Sequence, residues 1–438
     1  MSKTHHHHNP RALLASFVGT SIEFYDFYIY ATAASLVLGG LFFPSGSPQA
    51  QQLAAFATLA VAFIARPIGA VLFGHFGDRI GRKSTLVVSL LTMGLSTTLI
   101  AVLPTYAQAG LWAPLALCLL RFGQGLGLGG EWGGAALVAV ENAPPGWRAR
   151  YGMFPQLGAP AGLLAANGLF LLMGAWLSPE QFRAWGWRIP FALSSILVIV
   201  GLWVRLRLAE TPAFTASLRK AVPPKLPLAT LIRFHWRGLA FGTFGAIGCF
   251  ALYYIVTSFT LSYATRTLGY PMQQLLGVQL AAIPFLALGI AFAACLADAR
   301  FSERLVLAGG CVCVVGAGLA LAPMMESGSL RLIFAYLAVT LFLMGTVYGP
   351  LSGWLPTLFP AGVRYTGVSI AFNMAGVLGG GLTPLVATAL SAHGGLAPVG
   401  LYAGGAAVVS LIALVAAARL RTDEAGQAPE TPGLARQN

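Results

Sequence analysis

The sequence predicts an all-α membrane protein: twelve transmembrane helices in two pseudo-symmetric six-helix bundles. Three observations carry this expectation. Of 438 residues, 57% are hydrophobic and 9% charged, too few polar side chains to coat a soluble domain. The apolar residues fall in runs long enough to cross a hydrocarbon core roughly 30 Å thick at about 1.5 Å per residue, and lipid admits only helices or closed barrels. The basic residues then gather on alternate connections, as the positive-inside rule requires.

Taken in order, residues 1–10 form a disordered tail whose run His5 to His8 has no fixed metal-binding geometry. Apolar runs between turn signals place spans near 12–39, 53–74, 84–103, 113–140, 152–176 and 186–206, giving an amino-terminal bundle over 11–206. The first span is long and carries acids, unlike the core of a cleavable signal. Residues 207–237 are rich in proline and basic side chains and read as a cytoplasmic linker. Spans near 238–262, 275–297, 304–323, 331–354, 365–390 and 398–418 make a second bundle over 238–420. Residues 421–438 form a short cytoplasmic tail without heptads.

The net charge of +13 raises nucleic acid as a partner, and placement excludes it. With the amino terminus inside, 20 of the 26 Lys and Arg fall on the inner side, including Arg79, Arg82, Lys83, Arg148, Arg150 and the cluster between Arg205 and Arg237. Four fall outside (Arg183, Arg188, Arg266, Arg331), and Arg66 and Arg121 lie within spans. This bias puts both termini in the cytoplasm of a multi-pass inner-membrane protein whose surroundings are the lipid bilayer. The five cysteines lie in apolar segments without CxxC spacing and read as small buried residues. No metal-ligand, nucleophile–base or cofactor pattern appears, so no enzyme, metal site or cofactor is expected.

The chain also repeats itself. GHFGDRIGRK at 74–83 reads as a charged connection after the second span, and LADARFSER at 296–304 follows the eighth in the same way, with Asp298 lying 220 residues after Asp78. Arg364-Tyr365 similarly echoes Arg150-Tyr151, as duplicated transporter halves would. The glycine runs at 123–134 and 376–381 lie inside apolar helices and serve close packing, not phosphate binding.

Five ionisable residues are expected at membrane depth, where such groups are kept for function by default: Glu23, Asp26, Arg66, Arg121 and Glu131. Glu23 and Asp26 share one helix face three residues apart, roughly level with Arg121, on which they are expected to converge. Arg66 and Glu131 form a second pair nearer the cytoplasm, once helix tilt closes a depth difference of roughly 7 Å. Three acids against two arginines leave one carboxyl to hold a proton, which makes the Glu23/Asp26 pair with Arg121 the proton-coupling group. Hydrogen bonds to substrate hydroxyls or carboxylates are assigned to Tyr25, Tyr28, Gln156, Asn167, Tyr253, Tyr254, Thr257, Tyr348 and Asn373.

Several motifs together resemble the major facilitator superfamily, and within it the bacterial metabolite:proton symporters of shikimate, dicarboxylate, citrate and proline/betaine type. They are IEFYDFYIY (22–30), ARPIGAVLFGHFGDRIGRK (65–83), RFGQGLGLGGEWGGAA (121–136), ENAPPGWRARYG (141–152), WGWRIPF (185–191), ETPAF (210–214) and LFPAGVRYTG (358–367). The resemblance implies alternating access and a cytoplasmic gate built from Gly74, Asp78, Arg79, Gly81, Arg82, Lys83, Glu141, Arg148, Asp298 and Arg364. LADARFSER lacks the glycines and most of the basic cluster, and Thr357 replaces the acid common in relatives, so the gate is expected to be stronger in the amino-terminal half. The implied function is import of a small organic carboxylate with protons by a monomeric carrier. The alternatives are symport of a zwitterion such as proline or betaine, disfavoured as an osmosensor by the short tail, and proton-coupled drug export, for which LGAPAG (157–162) is a partial match to the exporters' GPxxG element. A sensor would need a signalling domain that no connection is long enough to hold.

Overall fold

The computed structural model describes residues 10–44, 46–80, 82–207, 227–360 and 363–426, with side chains at 74–86 outside the description. Twelve helical passes make up the described chain. They are α1 (10–42), α2 (Pro48–Ile80), α3 (Arg82–Ile100), α4 (112–141), α5 (Arg148–Trp176), α6 (186–207), α7 (Trp236–Arg266), α8 (Met272–Ala299), α9 (Glu303–Met325), α10 (Leu330–Leu358), α11 (Arg364–Gly394) and α12 (Leu396–Gly426). Nine of them are apolar and long enough to cross a bilayer by composition alone. In α1 and α4 embedded acids and arginines dilute the hydropathy.

Large apolar side chains such as Leu119, Ile199, Leu288, Leu319 and Ile412 point outward, as lipid-facing residues do. Exposed tryptophans sit near helix ends at Trp112, Trp176, Trp203 and Trp236, where an amphipathic ring matches the headgroup region. Turns between passes are short and locally specified. Gly269, at φ +75°, closes the α7–α8 turn, and Ser302 caps α9 by accepting the Leu305 amide hydrogen at 3.4 Å.

The duplication is visible in the packing. Within the first half α1 packs on α5, α2 on α4 and α3 on α6; within the second, α7 packs on α11, α8 on α10 and α9 on α12. Glycines make the second pairing possible. A Cβ at Gly69 or Gly125 would collide with the carbonyl of Leu126 or Ala62 across the α2–α4 contact, and one at Gly289 or Gly345 would collide with Phe342 or Leu286 across α8–α10. Gly129 and Gly349 extend the two series, so every partner lies 220 residues on (69 to 289, 125 to 345, 129 to 349). The halves meet chiefly along α5–α8 and α2–α11, contacts that exchange under the same repeat.

Five expectations change. Residues 74–83 do not form a loop: α2 runs to Ile80 and α3 starts at Arg82, with Gly81 outside the described residues. The fourth span is not continuous but breaks at Gly129–Gly130, and α10 breaks at the equivalent Gly349–Pro350. Within the expected linker, Pro227–Phe234 is helical and Trp236 already belongs to α7, while 208–226 lie outside the described residues. Cys249 and Cys311 are buried, whereas Cys295 and Cys313 face outward, as small apolar side chains tolerate on a lipid-facing surface. Pro10 already belongs to α1 and residues 421–426 continue α12, so the tails expected at 1–10 and 421–438 are shorter at their inner ends; their remainders, 1–9 and 427–438, lie outside the described residues.

If glycine at 125 is required by backbone approach, Gly125→Val should lower the thermal midpoint of the detergent-solubilised protein by roughly 1–3 °C, from an overpacking cost of about 1–3 kcal/mol. Gly405→Val, whose Cβ meets nothing within 4 Å, should leave the midpoint unchanged. Equal midpoints for the two variants would refute the packing account.

Candidate functional site

The centre of the molecule is built where α1, α2 and α4 face α7, α10 and α11. Two fully buried or nearly buried guanidinium groups lie there. Arg66 of α2 stacks over Phe27 at 4.1 Å and Phe63 at 4.4 Å, and Arg121 of α4 stacks over Tyr30 at 3.7 Å and Phe27 at 5.1 Å. Aromatic faces stabilise a desolvated cation without neutralising it. Nε of Arg66 and both Nε and Nη2 of Arg121 donate to no acceptor among the described residues. These are strong donors in a dry site, the arrangement that binds a planar anion.

Around Arg66 gather tyrosines from both halves. Tyr28 of α1 lies 5.2 Å from Tyr253 of α7 between ring centres, Tyr254 packs edge-on against Phe63 at 5.4 Å, and Tyr28, Tyr254, Tyr348 and Glu23 all lie within electrostatic reach of the guanidinium. The hydroxyl of Tyr253 lies beside that of Tyr28 and the hydroxyl of Tyr348 beside Trp132, neither in full hydrogen-bond geometry. Of the nine expected substrate contacts, Tyr28, Tyr253, Tyr254 and Tyr348 are therefore brought together at one cation.

The other five are engaged elsewhere. Tyr25 donates its hydroxyl to the Pro190 carbonyl on α6 at 2.8 Å, away from the centre. Gln156 accepts from Trp132 Nε1 at 2.9 Å and donates to the Tyr348 carbonyl at 2.7 Å, and Asn373 donates to the Gly129 carbonyl at 2.8 Å. Both carboxamides thus satisfy carbonyls at the α10 and α4 breaks from the opposite half, as does the Tyr365 hydroxyl at Gly130. Asn167 accepts from Thr32 at 2.7 Å and donates to Gln279 of α8 at 3.0 Å. Thr257 turns back on its own helix, bonding the Tyr253 carbonyl.

The charge pairing also departs from expectation. No ion pair joins Asp26 to Arg121. The Asp26 carboxyl, 0% exposed, accepts from Ser194 Oγ of α6 at 2.5 Å through one oxygen, and its second oxygen has no hydrogen-bond partner. Arg121 instead bonds Gln124 one turn on, and Gln124 donates to the Asp26 backbone carbonyl and to Thr97 Oγ1, each at 2.8 Å. A neutral carboxamide thus links the cation to the backbone of Asp26, while the acid group itself turns to Ser194. Glu23 is near Arg66 and Glu131 near Asp26, so the acids are distributed differently from the two expected pairs. Gln124, Thr97 and Ser194 were missed because neutral polar residues in a span carry no charge signal. Gln124 was findable as the residue one turn beyond Arg121, on the same helix face.

The face bearing the two ends of the helical chain closes through ionic contacts between the halves. Asp298, at the end of α8, accepts the backbone N–H groups of Ala149 and Arg150 at 2.9 Å each, capping α5, and its carboxylate lies 3.9 Å from the Arg150 guanidinium. Arg148 donates to the Gly353 carbonyl at 3.0 Å and pairs with Glu303 at 3.9 Å, and Glu141 pairs with Arg364 at 3.7 Å. The two pairs involving Arg148 and Arg364 are partly exposed and contribute about 0–1 kcal/mol each, whereas the Asp298 cap, mostly buried, carries more. LADARFSER contributes Asp298 and Glu303 to these contacts between the halves. The side chains of Asp78, Arg79, Arg82 and Lys83, with Gly74 and Gly81, lie outside the description.

The opposite face is joined by neutral bonds. Ser35 Oγ donates to the Ser258 carbonyl at 3.1 Å, and Gln273 Nε2 donates to the Gly174 carbonyl. Ser35 and Ser258 sit in matching π-helical segments, Ala34–Leu38 of α1 and Ile255–Phe259 of α7. Such segments free carbonyls from the regular ladder, which is what lets one accept from a neighbour.

Comparisons with known proteins bear on the family and the fold. The profile of the family described as "Sugar (and other) transporter" matches residues 11–224. An inner membrane metabolite transport protein of Escherichia coli K12, YhjE, is 49% identical over 92% of this chain and 93% of its own length. The shikimate transporter of the same organism is 38% identical over 87% of each. Among solved structures, the proton:xylose symporter XylE of the major facilitator superfamily, bound to 6-bromo-6-deoxy-D-glucose, superposes with a TM-score of 0.72 over 92% of this chain and 94% of XylE, at 18% identity, a likeness of fold.

The Asp298 cap can be checked directly. Asp298→Ala should speed hydrogen–deuterium exchange of the Ala149 and Arg150 amides roughly tenfold or more, since losing a charge-assisted bond costs about 1.5–3 kcal/mol locally. Unchanged exchange there would mean the cap does not hold α5.

Proposed function

Given that the chain belongs to the metabolite transporters of the major facilitator superfamily, we propose that it imports a small organic carboxylate together with protons by alternating access. The family makes it a multi-pass inner-membrane transporter of small molecules and not an enzyme. The carboxylate reading rests on one observation: Arg66 and Arg121 present unengaged guanidinium donors in a buried centre shared by both halves, beside a cluster of tyrosines. A neutral solute would leave the Arg121 charge desolvated with no carboxylate beside it, whereas a carboxylate offers both guanidinium groups charge-assisted bonds.

Asp26 is the proton carrier in this reading. An ionised carboxylate sealed from water needs a cation, and Arg121 is held by Gln124 and Tyr30 instead. A proton on the partnerless oxygen of Asp26 neutralises the group. Gln124 links the two events, since it contacts Arg121 with its oxygen and the Asp26 carbonyl with its nitrogen. A carboxylate drawing Arg121 toward the centre releases Gln124 and loosens α1 around Asp26. Glu23 assists by balancing Arg66.

The face carrying the chain ends is the cytoplasmic one, supported by the 20 to four division of basic residues. The ionic contacts of Asp298, Arg148 and Glu141 then form the inner gate and the Ser35 and Gln273 bonds the outer one, within a single chain acting as a monomer. Rocking of the halves breaks one set while keeping the other.

In proteoliposomes with an imposed pH gradient, the wild type should accumulate one or more of shikimate, dicarboxylates and keto acids. Asp26→Asn should abolish accumulation while retaining downhill exchange of the same substrate, and Glu23→Gln should reduce both. Accumulation by Asp26→Asn at the wild-type level removes Asp26 as carrier, and uptake of betaine or proline with no carboxylate removes the carboxylate reading.

A further inference from the structure

A cavity of about 880 Å³ opens between the halves on the face opposite the ionic gate. Its walls come from α1, α2, the end of α5 and the short helix Pro179–Ala184 on one side, and from the end of α7 and the start of α8 on the other. The charged residues in this lining are Arg183 and Arg266, one from each half, and no acidic side chain lines it. The two arginines lie within electrostatic reach of each other. Glu180, one turn before Arg183, is within reach of it, but its carboxylate accepts from Ser178 Oγ at 2.7 Å outside the lining.

The placement is specific. Among the described residues this face carries four Lys and Arg residues, Arg183, Arg188, Arg266 and Arg331, and two of those four stand across one cavity from each other. Neither is buried, so neither is needed to hold its own half together. Like charges across a cleft destabilise its closure, and a cleft lined by one sign concentrates anions and speeds their arrival by about ten- to a thousandfold. Gln273, which joins the halves through the Gly174 carbonyl, belongs to the same lining, so closure of this face and the approach of the two arginines involve one set of residues.

We infer that this vestibule is a recruitment site for carboxylate anions, in which Arg183 and Arg266 draw the anion from the outer side before it reaches Arg66 and Arg121. The identity of the anion rests on the proposed carboxylate transport; the site itself does not. A bound carboxylate also screens the two arginines from each other, which favours closure of the outer face only when it is loaded. Headgroup phosphate has the same anionic oxygen chemistry, and the test separates the two sources.

The probe is a cysteine at Gln51, which lines the vestibule, in a background with Cys118, Cys295 and Cys313 changed to serine. Its modification rate is measured with an anionic and a cationic methanethiosulfonate reagent in vesicles of zwitterionic lipid, with and without anionic lipid. Relative to Arg183→Gln/Arg266→Gln, the arginine-containing protein should favour the anionic reagent roughly tenfold at low salt. The preference should fade as salt rises and return in Arg183→Lys/Arg266→Lys. A rate ratio that the Gln pair leaves unchanged overturns the inference, as does a preference that anionic lipid abolishes, since headgroups then occupy the arginines. Carboxylate uptake should show KM raised several-fold in the Gln pair with kcat unchanged. If the ratio responds as expected while the wild type takes up no carboxylate, the vestibule stands and the carboxylate reading of the central site is what fails.

Discussion

In hydrocarbon a backbone carbonyl without a donor costs several kcal/mol, and this constraint organises the centre of the molecule. Two helices violate the regular ladder at matched places, α4 at Gly129–Gly130 and α10 at Gly349–Pro350. Each break is repaired from the other half: Asn373 and Tyr365 of α11 serve the carbonyls of α4, and Gln156 of α5 serves the Tyr348 carbonyl of α10. The halves are therefore joined by hydrogen bonds that neither can make alone. Motion between them must exchange these bonds for others.

The breaks and the glycines are one feature. Gly125 and Gly129 let α4 approach α2, Gly123 and Gly127 let it approach α3, and Gly133 and Gly134 admit Ser369 and Tyr365 of α11. A helix packed so closely on three neighbours brings Arg121 and Glu131 inside, with Arg66 across the α2 contact. The same logic recurs on α11, where Gly376, Gly380 and Gly381 form a hollow for the Phe63 ring beneath Arg66. Close packing excludes water, and exclusion of water gives the two arginines and Asp26 their leverage.

Much of this was legible beforehand. Apolar run length and the gathering of basic residues on alternate connections give the twelve passes, because bilayer thickness and insertion electrostatics act on composition directly. The 220-residue echo of Asp78 at Asp298 extends to the packing glycines, since a duplicated contact needs the same small residue at the same depth. The five embedded charges are all buried inside the bundle, as their expense in lipid requires. Their partners were not legible. Depth along a helix is readable from residue count, but azimuth is not, and azimuth turned the Asp26 carboxyl to Ser194, Tyr25 to Pro190 and Arg121 to Gln124.

The sequence by itself thus determined that this chain lies in a membrane, how often it crosses, that it is a duplicated molecule and which charged residues lie within it. These follow from short-range or one-dimensional physics: hydropathy, length, charge and repetition. Only the tertiary structure decided that Gln124 links Arg121 to the backbone of Asp26, that Asp298 caps a helix of the other half, and that Arg183 and Arg266 face each other across one cavity. Each of those depends on how separate helices rotate and tilt against one another. Rotation is fixed by the summed packing of many weak contacts, and no local pattern in the chain records it.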